Sequence, residues 1–67
     1  MLGQEIRKAR KAAGLSQEEL AFRAKVSRNY VSLVELDQTS PTVKNFVQLC
    51  KVMGVRASTL LARTEKH

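Results

Sequence analysis

Apolar residues recur along this chain at three-and-four spacing, in short bursts that each end at a glycine or a cluster of capping residues. That pattern constrains the fold more than any other feature. It reads as a series of short amphipathic helices, and no run of alternating β-branched residues is long enough for a sheet. A first helix is predicted over Leu2 to Ala13, with Leu2, Ile6, Ala9 and Ala13 inward and Gly14 following as a left-handed end. Ser16 with Glu19 three residues later forms a capping box that opens a second helix, Gln17 to Ala24. Glu18 and Glu19 sit in its first turn, where the helix dipole favours acid, and Leu20, Ala21 and Ala24 face inward. "KVS" makes a tight turn without glycine, and Ser27 caps a third helix from Arg28 to about Leu36. "DQTSPT" is a turn cluster holding the single proline. Thr42 or Ser40 then caps a fourth helix to Met53, with Val43, Phe46, Leu49, Cys50 and Met53 on its buried stripe and Gly54 at its end. A last helix, Ala57 to about Arg63, carries Leu60 and Leu61, and the polar tail 64–67 is expected to fray. The expected architecture is all-α, five helices about one core, with residues 1–67 forming one domain.

At 67 residues the chain can bury only about 60% of its unfolded surface, marginal but sufficient for independent folding. Cys50 is alone, so no internal disulfide forms, which suits a reducing compartment. The start "MLGQEIRKARK" lacks an apolar leader core, and no run approaches the ~18 apolar residues of a membrane span. A cytoplasmic, nucleoid-associated protein of a bacterium or phage is expected, with no membrane partner. Twelve Lys and Arg against six Asp and Glu give a net charge of +6 and a pI near 10.1. Such an excess favours a polyanionic partner through neutralised phosphates and released counterions.

Catalysis has little material. The one histidine, His67, is the last residue, and Cys50 lies on an apolar stripe, where a structural thiol is the simpler reading than a nucleophile. No Cys/His cluster has metal spacing, and no phosphate-cradling glycine motif occurs. Glu18 and Glu19 are explained by the helix start. No enzyme, metal, cofactor or small-molecule ligand is expected.

The third helix poses the sharper question, because "RNYVSLVE" carries more polar variety than a packing helix needs. Two short helices joined by a three- to four-residue turn, with Ala21 and Ala24 at their contact and Leu20, Val26, Val31 and Val34 around it, match helix-turn-helix geometry. The alternative is a plain helical hairpin within a bundle. The outer face favours the first. With Val31 and Val34 inward, Arg28, Asn29, Ser32 and Leu33 point out. Arginine offers a fork for guanine, asparagine pairs with adenine, serine bonds either way, and leucine touches a thymine methyl.

From "IRKARKAAGLSQEELAFRAKVSRNYVSLVE" through "SPTVKNFVQLCKVMGV" to "STLLA", nearly the whole chain resembles the Cro and phage-repressor-like, or XRE-like, helix-turn-helix regulators. The resemblance implies a lambda-repressor-like fold and binding to double-stranded DNA. It implies base-facing positions at Ser27, Arg28, Asn29, Ser32 and Leu33, with Leu33 alternatively part of a protein interface. Backbone contacts are implied at Gln17, which also braces the recognition helix, and at Arg23, Tyr30, Lys44 and Asn45. Arg10 and Glu35 match a buried or half-buried ion pair. Two departures stand out: Lys25 replaces the usual turn glycine, and Asp37 replaces the glycine usual after the recognition helix.

One copy presents few side chains to bases, so a homodimer on a near-palindromic operator is expected. Val47, Val52, Val55 and Leu61 lie spare for an isologous interface, unless they complete the core instead. Small controllers of restriction–modification systems offer one model of such a regulator. An antitoxin-like subunit that mainly binds a partner protein is the competing reading.

Overall fold

The computed structural model describes residues 1–64, and five helices follow one another along them. They are α1 (Leu2–Ala12), α2 (Gln17–Ala24), α3 (Arg28–Glu35), α4 (Val43–Met53) and α5 (Ala57–Thr64). No strand occurs among the described residues. Each helix sends at least one fully buried side chain to a common core: Ile6, Leu20, Val31 with Val34, Leu49 and Leu60. Burying each such side chain is worth about 1.5–3 kcal/mol against leaving it exposed. Around this core α1 packs on α3 and α5, α2 packs on α3 and α4, and α4 packs on α5.

Helix starts are set locally. Ser16 Oγ accepts the Glu19 N–H at 3.0 Å, while the Glu19 carboxylate accepts the Ser16 N–H at 2.9 Å. The backbone bond from Ser16 is the main cause holding the Glu19 carboxyl below its ordinary pKa, aided by the Ser16 hydroxyl and the Arg23 charge. Ser27 Oγ accepts from the Tyr30 N–H at 2.9 Å, and Thr42 Oγ1, rather than Ser40, accepts from Asn45 at 3.1 Å.

Three expectations need correction. Ala13 is exposed rather than inward, because the chain already leaves α1 there to reach the left-handed Gly14. Val43 is 82% exposed although it continues the Phe46–Leu49–Cys50–Met53 stripe. As the first residue of α4 it overhangs the core, and no element covers it. Thr64 is helical, its hydroxyl donating to the Leu61 carbonyl at 2.8 Å, and the rest of the expected tail, His67 included, lies outside the described residues. Cys50 is buried on α4, and desolvation pushes its thiol pKa up, away from the reactive thiolate. Among the described residues no helix is long and apolar enough to cross a membrane.

Candidate nucleic-acid interface

The α2–α3 corner is built from small contacts and one left-handed residue. Ala21 and Ala24 are buried in one core cluster with Val31 where α2 packs on α3, and their small side chains let the two helices approach closely. Lys25 turns the chain at φ 62° and ψ 40°, its N–H donating to the Phe22 carbonyl at 3.3 Å and that of Val26 to Ala21 at 3.0 Å. Extended Ser27 then redirects the backbone into α3.

This corner puts polar side chains of both helices on one surface. Gln17 from α2 and Arg28, Asn29 and Ser32 from α3 line a single open cleft of about 380 Å³. Arg28 and Asn29 are exposed, whereas Ser32 and Leu33 are half-buried. Among the described residues, the side chains of Arg28, Asn29 and Ser32 make no hydrogen bond within the protein, so their donors and acceptors stay available to a ligand.

Behind the cleft lies a buried polar network. Arg10 Nε donates to Glu35 Oε2 at 2.6 Å and its Nη2 to Oε1 at 3.1 Å, a bidentate pair, while Nη1 donates to the Leu15 carbonyl at 2.9 Å. Gln17 Nε2 adds a bond to Glu35 Oε1 at 3.0 Å. The last turn of α3 is thereby tied to α1, to the loop after α1, and to the first residue of α2. Arg10 and Glu35 are only 8% and 6% exposed, so desolvation offsets much of their attraction. The gain is orientation. Gln17 braces α3 from the edge of the cleft, with its amide oxygen left over.

A second tie joins α3 to α4. Asn45 Nδ2 donates to the Tyr30 hydroxyl oxygen at 3.2 Å, leaving the phenolic proton to be given elsewhere. Arg23 and Lys44 are exposed, as is Ser27, whose oxygen is engaged by its cap bond while its proton remains available.

Residues 6–60 match the helix-turn-helix family model. The chain belongs to the helix-turn-helix family. Its members include the XRE-like DNA-binding transcription regulators and phage repressors to which its sequence is similar. Over 68 residues the chain is 40% identical to the HTH-type transcriptional regulator SinR of Bacillus subtilis, matching along its full length but spanning only 60% of that relative. The crystal structure of SinR, the master regulator for biofilm formation, in complex with DNA superposes with a TM-score of 0.86 at 35% identity, covering 91% of this chain and 98% of that one. The restriction–modification controller C.AhdI of Aeromonas hydrophila superposes with a TM-score of 0.85 at 37% identity, covering 88% and 89%.

Of the apolar residues expected at a helix-turn-helix dimer interface, Val47 and Leu61 are exposed. Val52 and Val55 are half-buried and pack against the core. Gly3, which matters to the site's framework, escapes a reading of the sequence, and so does the partner of Asp37, a residue the sequence marks only as a departure from glycine. Gly3 is buried in the first turn of α1, and its N–H donates to Asp37 Oδ1 at 3.0 Å. The one local signal for Gly3 was its oddity, a poor helix former placed inside a helix. Among the described residues no group of His, Cys, Asp and Glu could hold a metal ion.

Proposed function

We propose that the protein is a sequence-specific regulator that binds double-stranded DNA as a homodimer on a near-palindromic operator in a bacterial cytoplasm, with residues 1–67 acting as one binding unit. One observation carries the reading: Gln17, Arg28, Asn29 and Ser32 converge on one open cleft of the α2–α3 corner, the last three with their side-chain hydrogen-bonding groups unspent and Gln17 with its amide oxygen left over. In this reading α3 enters the major groove. Ser27, Arg28, Asn29, Ser32 and Leu33 face base edges, Arg28 as the fork for a guanine and Asn29 for an adenine. Gln17, Arg23, Tyr30, Lys44 and Asn45 hold phosphates, Tyr30 through the proton left free by its bond from Asn45. The charge of +6 supplies the sequence-independent attraction. Val47 and Leu61, with the outer edges of Val52 and Val55, form the isologous contact that places two recognition helices about 34 Å apart. It works as a binding module, not as an enzyme.

Selection of bound sequences from random duplex DNA tests this directly. The expected outcome is an enriched site of two inverted half-sites about one helical turn apart. Arg28→Ala should then relax one base step in each half-site at about 1–3 kcal/mol. Failure to enrich any sequence would sink the specific-regulator reading, and enrichment of a lone half-site would sink the dimer.

A further inference from the structure

α3 ends on an L-residue in a left-handed position, and that residue reaches across to another helix. Asp37 has φ 58°. Its N–H donates to the Val34 carbonyl at 3.1 Å and that of Gln38 to Leu33 at 2.9 Å, the paired bonds that close a helix on a left-handed residue. Glycine would make both bonds without a Cβ penalty. Aspartate adds a carboxylate, and its Oδ1 accepts the Gly3 N–H at 3.0 Å, from a residue 34 positions away in sequence. α1 has no side-chain cap of its own, since Met1 at its N-cap offers none. Asp37 therefore supplies both the missing acceptor and a negative charge at the positive end of the α1 dipole.

The contact beneath this bond is equally specific. A Cβ on Gly3 would lie 2.4 Å from the Glu35 carbonyl oxygen and 2.7 Å from that of Val34. The first turn of α1 thus rests on the bare backbone of the last turn of α3. Further along α1, Arg10 grips the Glu35 carboxylate. Two grips on one end of α3 from one helix define a seat.

We infer that Asp37 is a positioning residue for the DNA-reading face: through Gly3 it fixes the C-terminal end of α3 on α1, and so sets where Arg28, Asn29 and Ser32 stand. The inference rests on the proposed reading of α3 as the recognition helix. α3 is only eight residues long, so its direction depends on how its two ends are held. Its start is held by the Ser27 cap and the α2 packing, and its end by Asp37 and Arg10. Binding groups must be held to within about 0.5 Å to be effective, so the hold on each end of α3 bears on the reading face.

Asp37→Gly and Asp37→Asn separate positioning from stability. Glycine relieves the left-handed backbone but removes the acceptor, while asparagine keeps the acceptor and tolerates the backbone. In Asp37→Gly the Gly3 amide should exchange about fivefold faster and the preference for the selected operator over unrelated duplex should fall about fivefold, the worth of one ordinary hydrogen bond. Backbone amide resonances of residues 28–33 should shift in the free protein while Tm stays near that of the parent. Asp37→Asn, which keeps the acceptor without the charge, should restore most of each. Unmoved resonances over 28–33 in Asp37→Gly would overturn the inference, whatever the DNA result. So would unchanged operator preference, or failure of Asp37→Asn to restore it. A parent protein with no operator preference would refute the regulator reading instead, and the resonances would still decide the seat.

Discussion

Four helices of this protein end with the same pair of backbone bonds, but they fall into two kinds. α1 and α4 close on Gly14 and Gly54, both at φ 73° and both with open space where a Cβ would stand. α2 and α3, the helix-turn-helix itself, close on Lys25 and Asp37 at φ 62° and 58°. An L-residue there gives up about 1–2 kcal/mol that glycine would keep, less for aspartate. The outer helices take the cheaper end, where nothing but the turn is needed. In the helix-turn-helix each left-handed residue brings a charged side chain: an exposed cation at Lys25, and at Asp37 a carboxylate that caps another helix. The difference teaches that at Asp37 backbone strain is accepted where the side chain has work the backbone cannot do.

That contrast can be broken or sharpened by mutation. The largest effect is expected at the seat of α3. Arg10→Ala leaves Glu35 buried with only Gln17 as partner and should lose about 3–5 kcal/mol in urea unfolding. A loss below about 1 kcal/mol would show that the pair does not hold α1 to α3. Gly3→Ala should lose about 1–3 kcal/mol, since its methyl meets backbone carbonyls that cannot rotate away. Crossing the two kinds of helix end comes next. Gly14→Ala and Gly54→Ala should each lose about 1 kcal/mol by strain alone, whereas Lys25→Gly should gain a similar amount while weakening DNA binding at low salt. A Lys25→Gly protein no more stable than its parent would remove the strain from the comparison.

The smallest effect is at the start of α2. The Glu19 carboxyl has its pKa lowered in the folded state, chiefly by the Ser16 backbone bond. Its contribution is therefore present above the unfolded value near 4.5 and is lost as pH falls through the lower folded value. Glu19→Gln should be less stable than the parent at neutral pH, and the two unfolding curves should converge in acid. Parallel curves would show that the capping box adds nothing through charge.

Much of the fold was legible because its signals are local. Ser16 with Glu19, Ser27 and Thr42 act on N–H groups three residues away, so spacing announces where α2 and α3 begin and narrows the start of α4 to Ser40 or Thr42. The outward set on α3 was legible for the same reason, since Val31 and Val34 orient the helix and leave Arg28 and Asn29 outside. Less could be read where partners are distant. The bond from Asn45 to Tyr30 spans fifteen positions and exists only because α4 lies against α3. Val43 shows the limit of periodicity: a stripe says which side of a helix faces inward, not how far the covering layer extends.

By itself the sequence determined the number of helices, most of their caps and inner faces, and the net charge of +6. Each of these depends on residues within a turn or two, or on a simple sum of charge. Only the tertiary structure decided that Val52 and Val55 join the core while Val47 and Leu61 stay exposed, and that the Glu35 carboxylate takes Gln17 as well as Arg10. It alone decided that Asp37, standing where a glycine would serve the turn, caps a helix 34 positions away. Those outcomes turn on the distance and angle between packed helices, and no local spacing encodes either.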